Sequence, residues 1–276
     1  MNPDLDALLA KTDAVMAGRI KPPADYRGPV HVGVDLGTAY TVLMVLDEAY
    51  QPIAGAYQFA EVVRDGLVVD FIGAIALLKK LKAQVEDQLG FELVSAASGY
   101  PPGVALVEVR ATAHVLEAAG LYCTGLLDEP IAANNVLQIP DGAIVDVGGG
   151  TTGVAIFKDG EEIYTADEPT GGTHFSLVIA GSQNVTFEEA EEIKKDPRRQ
   201  PELFPVIRPV MEKVGAIVRR HIQGHGVETI YLVGGTANFP RIDEVVQEYS
   251  GVETVIPASP MFITPLGIAM QNNHQP

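Results

Sequence analysis

The sequence predicts a duplicated α/β fold, in which two similar domains each open on β-hairpins and continue as alternating strands and helices. Three observations carry this. The chain has 276 residues and is 47% hydrophobic, long and apolar enough for two cores. Strand-like and helix-like periodicities recur in the same order in both halves. An aspartate–x–glycine turn falls early in each half, at Asp35-Leu36-Gly37 and at Asp146-Val147-Gly148.

The elements follow in order. Leu5, Leu8, Leu9, Thr12 and Met16 sit at helical spacing within residues 1–20, and the proline-rich stretch Lys21–Pro29 reads as a linker. Apolar and β-branched runs at 30–36, 41–46 and 52–58 predict strands. Ile72, Ile75, Leu78, Leu81, Val85 and Leu89 predict a helix over 71–89. A strand near 93–98, a helix at 104–119, a strand at 121–127 and a helix from 130 complete the first half. In the second half strands are expected at 143–147, 152–157 and 162–166. Helices follow near 173–181, 186–195 and 203–223, then a strand at 229–233, a helix at 238–249 and a last helix from Pro265. The implied domains are an amphipathic helix and linker over 1–28, a first domain over 29–140 completed by 263–276, and a second over 141–262.

Composition excludes several classes. No run of eighteen apolar residues reads as a membrane span, and Asp4 and Asp6 stand where a secretory signal would carry cations. The lone Cys123 excludes a disulfide framework or a cysteine-only metal site, so a soluble cytoplasmic protein is expected. A formal charge of −17 argues against nucleic acid, which needs a basic footprint. An anionic ligand would have to be held by local backbone dipoles and a divalent cation, against the long-range field.

The two aspartate turns have the chemistry for that. In Asp35 to Thr41 and in Asp146 to Thr152, a strand delivers a carboxylate, glycine opens a turn whose N–H groups can approach an anion, and hydroxyls follow. The carboxylate would hold Mg²⁺ through water rather than face phosphate. Either turn alone is most simply an ordinary glycine-rich hairpin; two copies, one per half, reverse that. A third turn, Val233-Gly234-Gly235-Thr236-Ala237-Asn238-Phe239-Pro240, ends a strand and opens a helix, whose N-terminus can receive a ribose, base or phosphate.

Gly33 to Thr38, Asp146 to Thr151 and Val233 to Pro240, in this order, resemble the two phosphate motifs and the adenosine motif of the actin/Hsp70/sugar-kinase superfamily. Asp128-Glu129-Pro130-Ile131-Ala132-Ala133-Asn134 and Pro265-Leu266-Gly267-Ile268-Ala269 are similar to its two connecting helices. Asp65 to Phe71 and the run Phe187 to Lys194 resemble the MreB/FtsA side. The wording VRDGLVVDFIGAI, TADEPTGGTH and FPVIRPVMEK resembles the ethanolamine-utilisation EutJ family, small Hsp70-like proteins described as chaperones of that pathway. The resemblance covers nearly all of residues 30–272.

It implies a ribonuclease-H-like ATPase fold, two domains flanking a nucleotide cleft, with ATP and Mg²⁺ as ligands. Asp35 and Asp146 would hold hydrated Mg²⁺. Gly37, Thr38, Ala39 and Tyr40 would line the phosphates from one side, and Gly148, Gly149, Gly150 and Thr151 from the other. Glu129 would orient or deprotonate the attacking water. Glu191 and Lys194 would touch ribose and adenine, with Gly234, Gly235 and Thr236 beneath the adenosine. Two departures stand out: Asn238 replaces the Hsp70 arginine that stacks on adenine, and residues 41–95 show no counterpart of the catalytic lysine, since Lys79, Lys80 and Lys82 lie on a helix. Slow turnover is the consequence.

Other residues read more blandly. Glu129 would suit any helix N-terminus. His174 reads as a capping residue, Cys123 as a buried thiol, and Arg198, Arg199, Arg219 and Arg220 as part of a mixed-charge surface. The N-terminal helix is open to two readings, a microcompartment-targeting peptide or a helix docked on the first domain. The function implied is an ATPase chaperone or assembly factor, cytoplasmic or associated with a bacterial microcompartment, whose partners are ATP/ADP and protein clients of ethanolamine catabolism or the compartment shell. Because the chain ends at Pro276, no Hsp70-type substrate domain is expected. The alternatives are a small-molecule kinase of the same superfold, for which no sugar motif is found; a radical-dehydratase activator, for which Cys123 is a poor cluster ligand; and a filament protein.

Overall fold

The structure is a computed structural model describing residues 3–23, 26–64 and 67–271. The quoted Asp65 and Gly66 lie outside the described residues, as does the C-terminal segment after 271. Contacts divide the chain into two units, Met1–Gln138 with Phe262–Pro276, and Ile139–Met261.

In the first unit, helix α1 (Pro3–Met16) is docked on the sheet: Leu9, Thr12, Val15 and Met16 are buried, and Gly55 leaves room for the Met16 sulfur. The sheet is ordered β3-β2-β1-β6-β7, from β1 (His31–Leu36), β2 (Tyr40–Leu46), β3 (Pro52–Phe59), β6 (Ser95–Tyr100) and β7 (Tyr122–Asp128). Strands β1 to β3 are antiparallel, whereas β1, β6 and β7 run parallel. A small hairpin, β4 (Val63–Arg64) and β5 (Leu67–Val68), leads into α2 (Phe71–Leu89).

Period-two alternation gives this sheet two distinct faces. One carries Val34, Leu43, Val45 and Ala54 and forms the main core with Leu78, Leu81 and Val85 of α2 and Val115 and Leu116 of α3 (Leu106–Ala118). Asp70 caps α2, its Oδ1 accepting from the Gly73 N–H at 2.9 Å, and Gly90 ends it in the left-handed region at φ 74. The opposite face receives two short helices, α4 (Glu129–Leu137) and α9 (Ile263–Ala269). They lie so close that side chains do not fit between them: a Cβ on Gly33 would stand 2.6 Å from the Ala269 nitrogen, and one on Gly267 would collide with the Ala132 carbonyl.

The second unit repeats the plan. Its sheet is ordered β10-β9-β8-β11-β12, from β8 (Gly142–Val147), β9 (Thr152–Lys158), β10 (Glu161–Glu168), β11 (Thr229–Val233) and β12 (Glu253–Val255). The strand directions also match: β8 to β10 are antiparallel, while β8, β11 and β12 are parallel. Its core joins this sheet to α5 (Gly172–Gln183), α6 (Phe187–Lys195), α7 (Gln200–Ile222) and α8 (Ile242–Ser250) through Phe175, Ile179, Ile207, Met211, Val214 and Val245.

The helix expected from 238 begins later. Gly235–Asn238 forms a 3₁₀ turn, the Asn238 amide donates to the Gly235 carbonyl at 3.2 Å, and Arg241 at φ 69 breaks the backbone before α8. Among the described residues no helix is long and apolar enough to cross a membrane.

Candidate functional site

Each unit groups residues picked out in the sequence. In the first, Asp35 is the penultimate residue of β1 and alternates with Val34 and Leu36, which belong to the α2 core; its side chain therefore belongs to the face bearing α4 and α9. The Gly37 N–H donates to the Tyr40 carbonyl at 3.1 Å, closing the loop that contains Thr38 and Ala39, all part-exposed. Glu129 opens α4, and its Cγ would be 3.3 Å from a Cβ on Gly99. Gly99 follows the Val34–Ser98 pair by one residue, so Glu129 lies over the same sheet face as Asp35. Two of the α2 lysines are engaged elsewhere: Lys80 donates to Gln58 at 2.7 Å and Lys82 pairs with Glu86 at 2.6 Å.

In the second unit the start of α5 and the turn at Thr236 both bond to the Gly148–Thr151 turn. The Gly148 N–H donates to the Thr151 carbonyl at 3.0 Å. The Gly148 carbonyl accepts from the Gly172 N–H at 3.0 Å and from the Thr236 hydroxyl at 2.7 Å, while the Gly149 carbonyl accepts from the Thr173 N–H at 2.7 Å. In a trans peptide the C=O and N–H point in opposite directions, and no peptide bond among the described residues is cis. Anchoring these two carbonyls therefore turns the Gly149 and Gly150 N–H groups the other way, as donors for an anion.

Lys194 reaches the same place from α6. Its ammonium donates to the Gly172 carbonyl at 3.0 Å, to Ser176 Oγ at 2.8 Å and to Glu191 Oε1 at 2.5 Å, and Ser176 donates to the same carboxylate. Burial pushes the Lys194 pKa down, and the Glu191 charge opposes that shift. Gly234 sits at φ 90, and a Cβ there would collide with Asp146 Oδ1 and lie 2.6 Å from the Val147 carbonyl. Only glycine suits both the backbone and the space.

The structure thus brings Asp146, Gly148, Gly149, Gly150, Thr151, Glu191, Lys194, Gly234, Gly235 and Thr236 together, with Asn238 exposed at the rim. Ser176 and Gly172 join this cluster, Ser176 without a motif in the sequence to mark it and Gly172 within a motif that assigned it no role. His174 is a cap, its Nδ1 accepting from the Gly171 N–H at 3.3 Å. Cys123 is half-buried, and burial raises its thiol pKa. Arg198, Arg199 and Arg220 are ion-paired with Asp196, Glu202 and Glu168, a mixed-charge surface as expected.

The ethanolamine utilization protein EutJ of Salmonella typhimurium is 42% identical over 248 residues, covering 90% of this chain and 87% of that protein. This chain belongs to the EutJ family. A crystal structure of the ethanolamine utilization protein EutJ from Carboxydothermus hydrogenoformans matches it with a TM-score of 0.91 at 47% identity, over 97% of this chain and 98% of that one. Residues 104–269 match the family model of the type IV pilus assembly protein PilM, so the chain also falls within that wider family. MreB 5 of Spiroplasma citri, crystallised with AMPPNP, matches with a TM-score of 0.68 at 17% identity, over 88% of this chain and 95% of that one. That likeness shows the fold, the duplicated actin/Hsp70-type arrangement.

Proposed function

We propose that this EutJ-family protein binds ATP with Mg²⁺ and hydrolyses it slowly, to drive a chaperone or assembly step in ethanolamine utilisation at a bacterial microcompartment. The observation that carries the reading is the convergence on the Gly148–Thr151 turn. Its anchored carbonyls present N–H donors, and the α5 N-terminus, Thr236 and the Lys194–Glu191 pair surround it. Phosphates would be held by this turn and by Gly37–Tyr40, and the nucleoside by Glu191, Lys194, Gly234, Gly235, Thr236 and Asn238.

Magnesium fits the donors present. Asp35 and Asp146 are part-exposed carboxylates, each at a strand end beside a glycine turn, offering the oxygen ligands that a largely hydrated Mg²⁺ takes. When bound, the ion would offset phosphate charge. Glu129 would accept a proton from, or orient, the attacking water. Lys80 and Lys82 are taken up by Gln58 and Glu86, and no lysine between 41 and 95 matches the catalytic lysine of the superfamily, which supports slow turnover. The partners proposed are protein clients of ethanolamine catabolism or of the compartment shell.

Titration with Mg-ATP, together with phosphate release, tests this on wild type, Asp35→Ala and Glu129→Ala. Asp35→Ala should lose Mg-ATP binding, whereas Glu129→Ala should keep binding and lose turnover. Equal affinity in all three proteins would refute the assignment. Consumption of ATP only when a small alcohol or carboxylate acceptor is added would point to a kinase instead.

A further inference from the structure

The chain leaves the second unit at Met261 and re-enters the first at Phe262. This crossing is a 3₁₀ turn, Pro260–Phe262, entered through Ser259 at φ 49 and running directly into α9. On its second-unit side the Pro260 carbonyl accepts from the Gly234 N–H at 3.0 Å, which ties it to the glycine turn assigned to adenosine. On its first-unit side Phe262 is buried, and its ring meets Tyr57 edge-on with centroids 5.4 Å apart.

Tyr57 continues the contact. Its ring centroid is 5.8 Å from that of Tyr40, and Tyr40 packs edge-on against Phe59 at 5.6 Å. The strand register explains the ladder. Tyr40 pairs with Phe59 and Val42 with Tyr57, so the three rings stand on one face of β2 and β3. Tyr40 is also the residue whose carbonyl closes the Gly37 loop. Tyr57 is 43% exposed, so its ring is a poor candidate for a core filler, and its ring neighbours are the two ends of this path.

We propose that Tyr57 is a positioning residue that links occupancy of the Gly37–Tyr40 loop to the order of the crossing segment at Phe262. A phosphate that immobilises the loop also immobilises Tyr40, and the ring contacts pass that restraint through Tyr57 to Phe262 and the first turn of α9. This inference rests on the nucleotide reading above and adds a route by which the bound state is transmitted to the segment joining the two units.

Hydrogen exchange of a peptide spanning residues 258–266, measured on the full chain with and without saturating Mg-ATP, tests it alongside a binding titration. In wild type, Mg-ATP should slow exchange at Phe262, Ile263 and Thr264 by about fivefold or more. Tyr57→Phe, which keeps the ring, should retain that protection. Tyr57→Leu should bind Mg-ATP within about threefold of wild type and lose most of the protection. The chain has no tryptophan, so Tyr57→Trp gives a single tryptophan within the ladder, whose emission, excited selectively at the red edge, should shift on Mg-ATP addition.

Full protection in Tyr57→Leu, or binding by Tyr57→Trp without any spectral shift, overturns the link while leaving nucleotide binding intact. Loss of binding in Tyr57→Leu also overturns it, because Tyr57 would then act at the loop itself. Absence of binding in wild type shows in the titration and removes the nucleotide reading together with this one.

Discussion

The two glycine turns begin alike and are held differently. The second is gripped from outside: Gly172, Thr173 and Thr236 each donate to its carbonyls, so its free N–H groups are aimed before any ligand arrives. The first is held by its own Gly37–Tyr40 bond, by the Ala60 N–H on the Ala39 carbonyl at 3.1 Å, and by ring contacts of Tyr40. Duplication has therefore produced one turn braced by neighbouring segments and one that leaves room for adjustment.

The largest effect should come from Gly234→Ala. The new Cβ would collide with Asp146 Oδ1, stand 2.6 Å from the Val147 carbonyl, and require φ 90 of an L-residue. Backbone strain and overpacking together should cost about 4 kcal/mol in urea unfolding. Mg-ATP binding should disappear with it. A cost under about 1 kcal/mol would mean that the second turn is as adjustable as the first.

Next comes Lys194→Met. Its side chain is 17% exposed and that of Glu191 7%, so the change leaves a buried carboxylate with the Ser176 hydroxyl and, at 3.9 Å, the Lys195 ammonium as its remaining partners. About 3 kcal/mol should be lost, the low end for a broken buried pair, and adding Glu191→Gln should recover most of it. The pH dependence has a definite sign. Burial holds the folded Lys194 pKa below 10.5, so over the window from that lowered value up to 10.5 the unfolded chain binds more protons than the folded one. Wild-type stability gains from this group as pH rises through the window, and the cost of burying the charge is fully present below it. Urea melts at neutral and alkaline pH should show that gain in wild type and its absence in Lys194→Met.

Much of this was legible in the residues. Helix α2 was read with its observed limits, 71–89, because its apolar residues recur at helical spacing, and the structure adds the Asp70 cap and left-handed Gly90 that bound it. The aspartate–glycine turns were visible as local patterns. Ser176 was not, because a serine inside a helix has no local signature; its role comes from Glu191, fifteen residues away, on a helix stacked beside its own. Gly33 and Gly267 stood inside quoted motifs without a packing role, and Gly99 was not singled out, since each matters for the Cβ it lacks against α4 or α9. The short β12 and the late start of α8 escaped for a similar reason: pairing with β11 makes the strand, and the Asn238 turn delays the helix.

The smallest effect should be that of Gly37→Ala, and it bears most directly on the contrast between the turns. Gly37 is absent from the positive-φ glycines of the described residues, and a Cβ there would stand 2.8 Å from the Tyr40 carbonyl and 3.7 Å from Asp35 Oδ1. The carbonyl belongs to the same short loop, so a small shift can relieve the contact, and a loss of about 1 kcal/mol in urea unfolding is expected. Mg-ATP affinity should fall more than stability does, because the shift moves the loop N–H groups away from the phosphates without loosening the core behind them. If Gly37→Ala instead destabilised the protein as much as Gly234→Ala, the first turn would be as tightly set as the second. The asymmetry would then belong to the ligand contacts rather than to how each loop is held.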